Sequence, residues 1–468
     1  MDEKRLIILR DEKPFQAILS LAIPTMMGMI VQIFYNLTDT FFVGKLNDPY
    51  QVAAVSVAFP IFMMLMSISG MFGFGASSYV SRLLGEKDYE MAKNTSATAF
   101  YTCIFAGIAV TILGLFFISP ILRLIGVTQE TFSHANQYLT IIFMGSIIIM
   151  SNFSLGLLLR SEGAAKIAMF GMFIGTGINI VLDPIFILLL GYGVKGAAIA
   201  TLIGQLSGLI FYLNFYLKQK SLISINWKYF SPKKEIYLEI FRVGVPASIN
   251  HMMMSIAQTL GNYVAAGYND MVVAAFGINH RLFSMAIMLL IGLSEGTQPL
   301  IGYSYGAKKI KRLNQIIKTG ELMATAISVF FLVFFYLFAG EMIRIFINNE
   351  QVIDYGIKIM RALIIALPFA GIQFIIRVSF QALGKGKPAL ILALARQGLF
   401  YIPLLFTLNS FFGFSGFIFA QPIANILTFL LAIILFRQIK LQINDEYQEA
   451  FSENTSSQLE VEESYSKI

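Results

Sequence analysis

Long apolar runs separated by short polar stretches organise almost the whole chain. They fall near residues 15–43, 51–78, 94–119, 135–159, 168–190 and 195–217, and again near 237–266, 271–299, 315–339, 355–383, 389–410 and 413–436. Each is long enough for the ~20 helical residues that cross a hydrocarbon layer of ~30 Å. The pattern predicts an all-α polytopic membrane protein with twelve transmembrane helices.

The two sets of six repeat one another. Pro24 recurs as Pro246 at an offset of 222, and the pair Ala53 and Ala54 recurs as Ala274 and Ala275 at 221. Gly85, Lys87 and Gly163 recur as Gly306, Lys308 and Gly384 at 221, and Gly193 and Gly196 as Gly413 and Gly416 at 220. A near-constant offset over most of each half is hard to obtain by chance. Six spans is an even number, so the copies share one orientation and form two six-helix lobes related by a pseudo-two-fold axis along the membrane normal, with a substrate cavity between them. The expected boundaries are a leader at 1–14, lobes at 15–217 and 237–438 joined by a connector at 218–236, and a tail at 439–468.

Composition agrees with that picture. Residues are 57% hydrophobic and 13% charged, against about 25% charged in soluble domains, and the mean hydropathy is +0.71. The net charge of +7 matters through its placement. If the N-terminus is cytosolic, the inward connectors carry eighteen Lys and Arg and the outward ones at most six, counting Lys358 and Arg361. That is a positive-inside bias, and it puts both termini in the cytosol of a bacterial membrane. The leader, with Lys4, Arg5, Arg10 and Lys13, lacks a cleavage signature and reads as retained. The tail, rich in acidic and hydroxyl residues, reads as flexible.

Several functions are disfavoured. The basic residues form no recognition helix or aromatic groove for nucleic acid. Cys103 is a lone cysteine in an apolar run, and His134, His251 and His280 lack metal-ligand spacing. No GxxxxGK[ST] stretch and no nucleophile, base and acid constellation is present. The chain reads as no enzyme, without cofactor and without an obligate protein partner, its energy drawn from an ion gradient.

Polar groups inside the runs carry the candidate chemistry, because in hydrocarbon they need a partner, a cavity or a route to water. Asp39 and Asp183 both fall roughly 9–12 Å below the outer edge at 1.5 Å per residue. Asn179 is one turn from Asp183, and Thr201 enters the sixth span to a comparable depth. Such an oxygen set suits a proton relay or a small hard cation such as sodium, or satisfied interhelical bonds. Pro24 breaks the amide ladder of the helix bearing Asp39, so a bend can follow its protonation or serve packing alone. Glu295, near the cytosolic end of the eighth span, reads as a gate or cation attractor, or as the ion-pair partner of Arg281 or a nearby lysine. Tyr35 and Phe153, with Met63, Met172, Met253 and Met288, are candidate cavity residues for planar cations, or core residues.

The segments IPTMMGMIVQIFYNLTDTFFVGKL, GFGASSYVSRLLGEKD and GLSEGTQPLIGYSYGAKK resemble the multidrug and toxic compound extrusion (MATE) family, in its MepA-like and DinF-like bacterial branches, over roughly residues 14–438. The resemblance implies twelve helices in two lobes and export of hydrophobic, amphipathic organic cations in exchange for protons or sodium ions, within membrane lipid. It also implies that Asp39, Asn179, Asp183 and Thr201 match the coupling cluster of DinF-like members. NorM-like members place carboxylates in their seventh and tenth helices, but Val245 to Ala266 contains none here, and the tenth span offers Gln373 and Arg377. An alternative is a flippase or exporter of an amphipathic lipid-linked or other metabolite, for which embedded bases such as Arg281, Arg377 and Arg396 would serve.

Overall fold

The computed structural model describes residues 3–46, 48–218 and 220–466, with side chains through Ile443 apart from those of Lys4, Asn36, Leu37 and Thr40. Among them every regular element is helical. A short helix α1 (Glu3–Arg10) precedes α2 (Pro14–Gly44), α3 (Pro49–Glu86) and α4 (Tyr89–Phe116). After α5 (Ile118–Leu124) come α6 (Gln129–Met144) and α7 (Ser146–Ser161), then α8 (Ala165–Pro184), which ends in a wide π turn at Ile185–Leu189, and α9 (Gly193–Leu217). The second half has α10 (Lys234–Ala266), α11 (Asp270–Gly306), α12 (Ile310–Arg344), α13 (Glu350–Ile364), α14 (Leu367–Ala382) and α15 (Gly386–Leu394). A π stretch (Ala395–Tyr401) then leads into α16 (Ile402–Ser466), broken at Gly413, where φ is 55°.

Eight described helices are long and apolar enough to cross a membrane, and ten if the pairs α6/α7 and α13/α14, bent by 55° and 47°, each count as one. Helix α10 is long enough, but Asn250, His251, Gln258 and Asn262 dilute its hydropathy. The helices also overrun the expected span limits. α3 continues past the expected limit at 78 to Glu86, with Ser81, Leu83, Leu84 and Gly85 buried within the bundle, so residues that look like the start of a connector are packed helix. The last helix likewise runs on through the acidic tail, whose side chains lie outside the described set.

The repeat is written into the backbone. Elements starting at 49, 89, 129, 146 and 165 have counterparts starting at 270, 310, 350, 367 and 386, each displaced by 221. The two described non-glycine residues with positive φ are Lys87 (65°) and Lys308 (54°), and Gly163 and Gly193 are matched by Gly384 and Gly413. Each Lys sits at a helix C-terminus, where a left-handed residue turns the chain into the next helix.

The halves meet along α2 with α11 and α3 with α10, and they touch most intimately toward the end that carries the basic connectors. A Cβ on Gly75 would run into the carbonyl of Ile240, and one on Gly244 into that of Met71, so glycine alone permits that approach of α3 and α10. Ser67 Oγ donates to the Ser248 carbonyl at 3.0 Å, and Ser248 Oγ returns the bond to Ser67 at 2.6 Å. Arg82 and Glu239 pair across the same seam at 2.6 Å. Farther out, α10 presents His251 and Met252, and α11 presents Arg281 and Met285, all exposed. Arg281 lies three helical turns from Gly292, on the face that packs against Met26 deeper down. The halves are sealed at the basic end and diverge toward the other.

Helix α1 closes over the sealed end. Arg312 donates to the carbonyls of Glu12 at 2.6 Å and of Ile8 and Leu9 at 3.3 Å. Arg5 pairs with Glu162 at 3.5 Å, and Glu162 also accepts from Leu222 N and Ser221 Oγ. Glu162 is wholly buried. That burial pushes its carboxyl up to about 7, although Arg5 and the donors from Leu222 and Ser221 pull the other way.

Candidate functional site

The four sequence-predicted oxygens come together on three helices. Asp39 lies five residues before the end of α2, Asn179 and Asp183 lie on the last turns of α8, and Thr201 lies two turns into α9. The i, i+4 spacing on α8 lets Asn179 Nδ2 donate to Asp183 Oδ1 at 3.3 Å. Tyr35, one turn before Asp39, hydrogen-bonds Thr201 Oγ1 through its hydroxyl at 3.2 Å. Asn179, Asp183 and Thr201 are all at most 3% exposed.

This group is under-satisfied. Asp39 Oδ1, Asp183 Oδ2 and Asn179 Oδ1 are buried without a hydrogen-bond partner among the described residues. Asp39 and Asp183 lie close enough to feel each other's charge, and no Lys or Arg answers either within 4 Å among the described residues. Two neighbouring buried carboxylates cannot both ionise cheaply, so the arrangement can take up a proton or receive a cation.

Sequence reasoning missed Tyr138. It is buried on α6 and lies within electrostatic reach of Asp39, Tyr35 and Asp183. A Tyr on an apolar helix face looks like ordinary core, so depth along α6 is the signal that could have found it. Among the described residues, no group of three or more His, Cys, Asp or Glu could hold a metal.

Glu295 does not pair with Arg281. Its carboxylate binds Arg160 Nη1 of α7, at 2.5 Å, across the seam between halves, while Arg281 stands exposed three to four turns away on the same helix. Pro24 lies inside the continuous helix α2. The proposed cavity residues are dispersed. Tyr35 belongs to the acidic group, whereas Phe153 packs edge to face on Phe74 at 6.1 Å, and Phe74 stacks on His251 at 5.9 Å. Met172 reaches Gly28 on α2, the Met253 sulfur lies against Gly398, and Met63 and Met288 are half-buried on α3 and α11.

A family model described as MatE matches residues 24–185 and again 246–407. The chain belongs to the MATE family. Its two matches stand 222 residues apart, which is the internal repeat seen from outside the chain. The chain is 32% identical over 435 residues to the multidrug export protein MepA of Staphylococcus aureus (strain MSSA476), covering 93% of this chain and 96% of MepA. Among solved structures it is similar to an outward-facing conformation of a multidrug resistance MATE family transporter of the MOP superfamily, with a TM-score of 0.90, 30% identity and coverage of 94% and 99%. It is also similar to a MOP superfamily transporter from Pyrococcus furiosus Vc1, for which a reverse polarity of the binding pocket is described as suggesting a different function. There the TM-score is 0.88, with 31% identity and coverage of 94% and 99%. This MATE protein is therefore a bacterial multi-pass membrane protein and an efflux transporter, a secondary transporter rather than an enzyme.

Proposed function

We propose that the chain exports hydrophobic organic cations by antiport, in exchange for protons or sodium ions taken up at Asp39 and Asp183. The observation that carries this reading is the set of three buried, unpartnered oxygens on Asp39, Asn179 and Asp183. A carboxylate left without partners inside a membrane protein is costly, and that cost is sensible where an ion binds and leaves in every cycle. Asn179, Thr201 and Tyr35 hold the group in shape, and Tyr138 lies within electrostatic reach of it.

The architecture belongs to the same reading. Twelve spans follow if α6/α7 and α13/α14 each cross once, α10 crosses, and the break at Gly413 divides two spans. They form two lobes, and both termini lie in the cytosol with the basic end. The Arg160–Glu295 and Arg82–Glu239 pairs close the cytosolic side, and Pro24 allows α2 to bend as Asp39 changes charge. Tyr35, Phe153 and the methionines Met63, Met172, Met253 and Met288 offer adaptable apolar surface to the cargo.

The test is transport by purified protein in liposomes loaded with ethidium, with pH and sodium gradients imposed separately. Export driven by one of the two gradients is expected. Ethidium movement indifferent to both would overturn coupled antiport.

A further inference from the structure

The second half of the chain holds two guanidinium groups, Arg396 buried and Arg377 half-buried, that form no ion pair with a carboxylate among the described residues. Arg377 of α14 lies 5.3 Å from the ring centroid of Phe374, and Arg396, from the π stretch, lies 5.0 Å from the same ring. Arg396 donates to Asn425 Oδ1 at 3.3 Å. Arg377 makes no ion pair or hydrogen bond among the described residues, and its Nε is fully shielded. It does feel Glu295, but that carboxylate is already bound to Arg160.

The position of Arg377 says what could reach it. Gln381, one turn further along α14, receives a hydrogen bond from Ser78 of α3 across the sealed seam. Arg377 shares that face and stands about 6 Å above the seam at 1.5 Å per residue. It is also within electrostatic reach of His251, which stacks on Phe74 where the halves begin to diverge. The guanidinium therefore sits at the floor of the opening between halves, partly accessible.

An unpaired cation at that depth is expensive, and one aromatic face recovers only part of the cost. A planar guanidinium fork matches a carboxylate better than any other small anion donor set. We propose that Arg377, backed by Arg396 and His251, forms an anion-accepting subsite that receives the carboxylate of a zwitterionic amphiphile whose cationic end faces the half bearing Asp39. The subsite deepens the export reading above and rests on it.

The test uses rhodamine B, a zwitterion, and its ethyl ester, which keeps the cationic dye but has no free carboxylate. Binding and liposome transport of both are measured on wild type, Arg377→Gln and Arg377→Lys, in phosphatidylcholine with and without phosphatidylglycerol. Wild type is expected to favour rhodamine B, and Arg377→Gln to lower the ratio of rhodamine B to ester by about tenfold, the scale of one lost charged hydrogen bond. Arg377→Lys should restore part of it. An unchanged ratio overturns the subsite, and so does an equal loss of both dyes, which would make Arg377 a part of the seam. A wild-type preference for the ester overturns it without any variant. A preference abolished by phosphatidylglycerol alone assigns the floor to lipid phosphate and overturns the substrate role. Wild type that moves ethidium but neither dye overturns the subsite alone, whereas wild type that moves none of the three sinks the export reading itself.

Discussion

Among the described residues of the first half, the carboxylates with shielded atoms and no ion-pair partner are Asp39 and Asp183; in the second half the guanidinium groups of Arg377 and Arg396 stand without a carboxylate partner. The two halves nevertheless share one backbone plan, down to the left-handed residues Lys87 and Lys308. At the displacement of 222 that relates Pro24 to Pro246, Asp39 corresponds to Gly261; at 221, Asp183 corresponds to Leu404, Arg377 to Gly156 and Arg396 to Gly175. The repeat thus preserves the positions that shape helices and turns, and it leaves the charged positions free to diverge. Folding constraints act on backbone geometry in both copies, whereas the chemistry of a transport cycle needs a given charge only once.

The seam between the halves is where that comparison breaks most severely. Gly244→Leu is expected to abolish recovery of monodisperse protein, because its side chain would have to displace the Met71 backbone of α3, whereas Leu at the open position Gly277 should be tolerated. Size-exclusion profiles of the two variants check this. A smaller loss follows from Glu295→Gln, which leaves Arg160 half-answered inside the bundle. Breaking such a buried pair costs about 3 kcal/mol, read as a lowered thermal midpoint, and exchanging the two residues as Arg160→Glu with Glu295→Arg should recover part of it.

Within the acidic group, Tyr35→Phe removes the bond to Thr201 and should cost about 1 kcal/mol. Ion-coupled export should slow several-fold while the fold survives, and Thr201→Val should do no further harm on top of it. Full additivity of the two changes would show that Tyr35 and Thr201 act separately.

The pH response of the clasp under α1 sharpens the contrast from another side, because Glu162 is an acid that does have counterparts. Its folded-state pKa of about 7 lies above the ordinary 4.5, so the stability it contributes is complete below about 4.5 and is lost as pH rises through 7. Between pH 6 and pH 8 the loss is on the order of 1 kcal/mol. The thermal midpoint of wild type should fall over that interval, and that component should vanish in Glu162→Gln.

Much of this was legible in the sequence. Hydropathy located the all-helical membrane fold and most of its long apolar helices, since the demand of lipid for a continuous apolar helix is a one-dimensional property. Depth along each span brought Asp39, Asn179, Asp183 and Thr201 to one layer, because rise per residue converts sequence distance to height. Rotation about each axis was not available in the same way. For Glu295 the sequence leaves a gating role or an ion pair with Arg281 or a nearby lysine open, whereas the partner it finds, Arg160, lies 135 residues away, and only the packing of α7 on α11 brings them together. Helix α3 outruns the expected limit at 78 where Ser81 turns inward, since a buried serine and a loop serine look alike in a hydropathy window. Tyr138 is hidden for a different reason: the carboxylates near it, Asp39 and Asp183, come from other helices and meet it only in space.

The central claim is that the negative half couples ion movement to export, and Asp39→Asn tests it most directly. Asparagine keeps the volume and a hydrogen-bonding end but cannot exchange a proton or offer a charged oxygen to sodium. Equal amounts of monodisperse wild-type and Asp39→Asn protein are placed in liposomes, and ethidium flux is followed under separate pH and sodium gradients. The account predicts that the variant still binds ethidium but loses at least about tenfold of gradient-driven flux, the equivalent of ~1.4 kcal/mol. Normal gradient-driven flux through Asp39→Asn would contradict it.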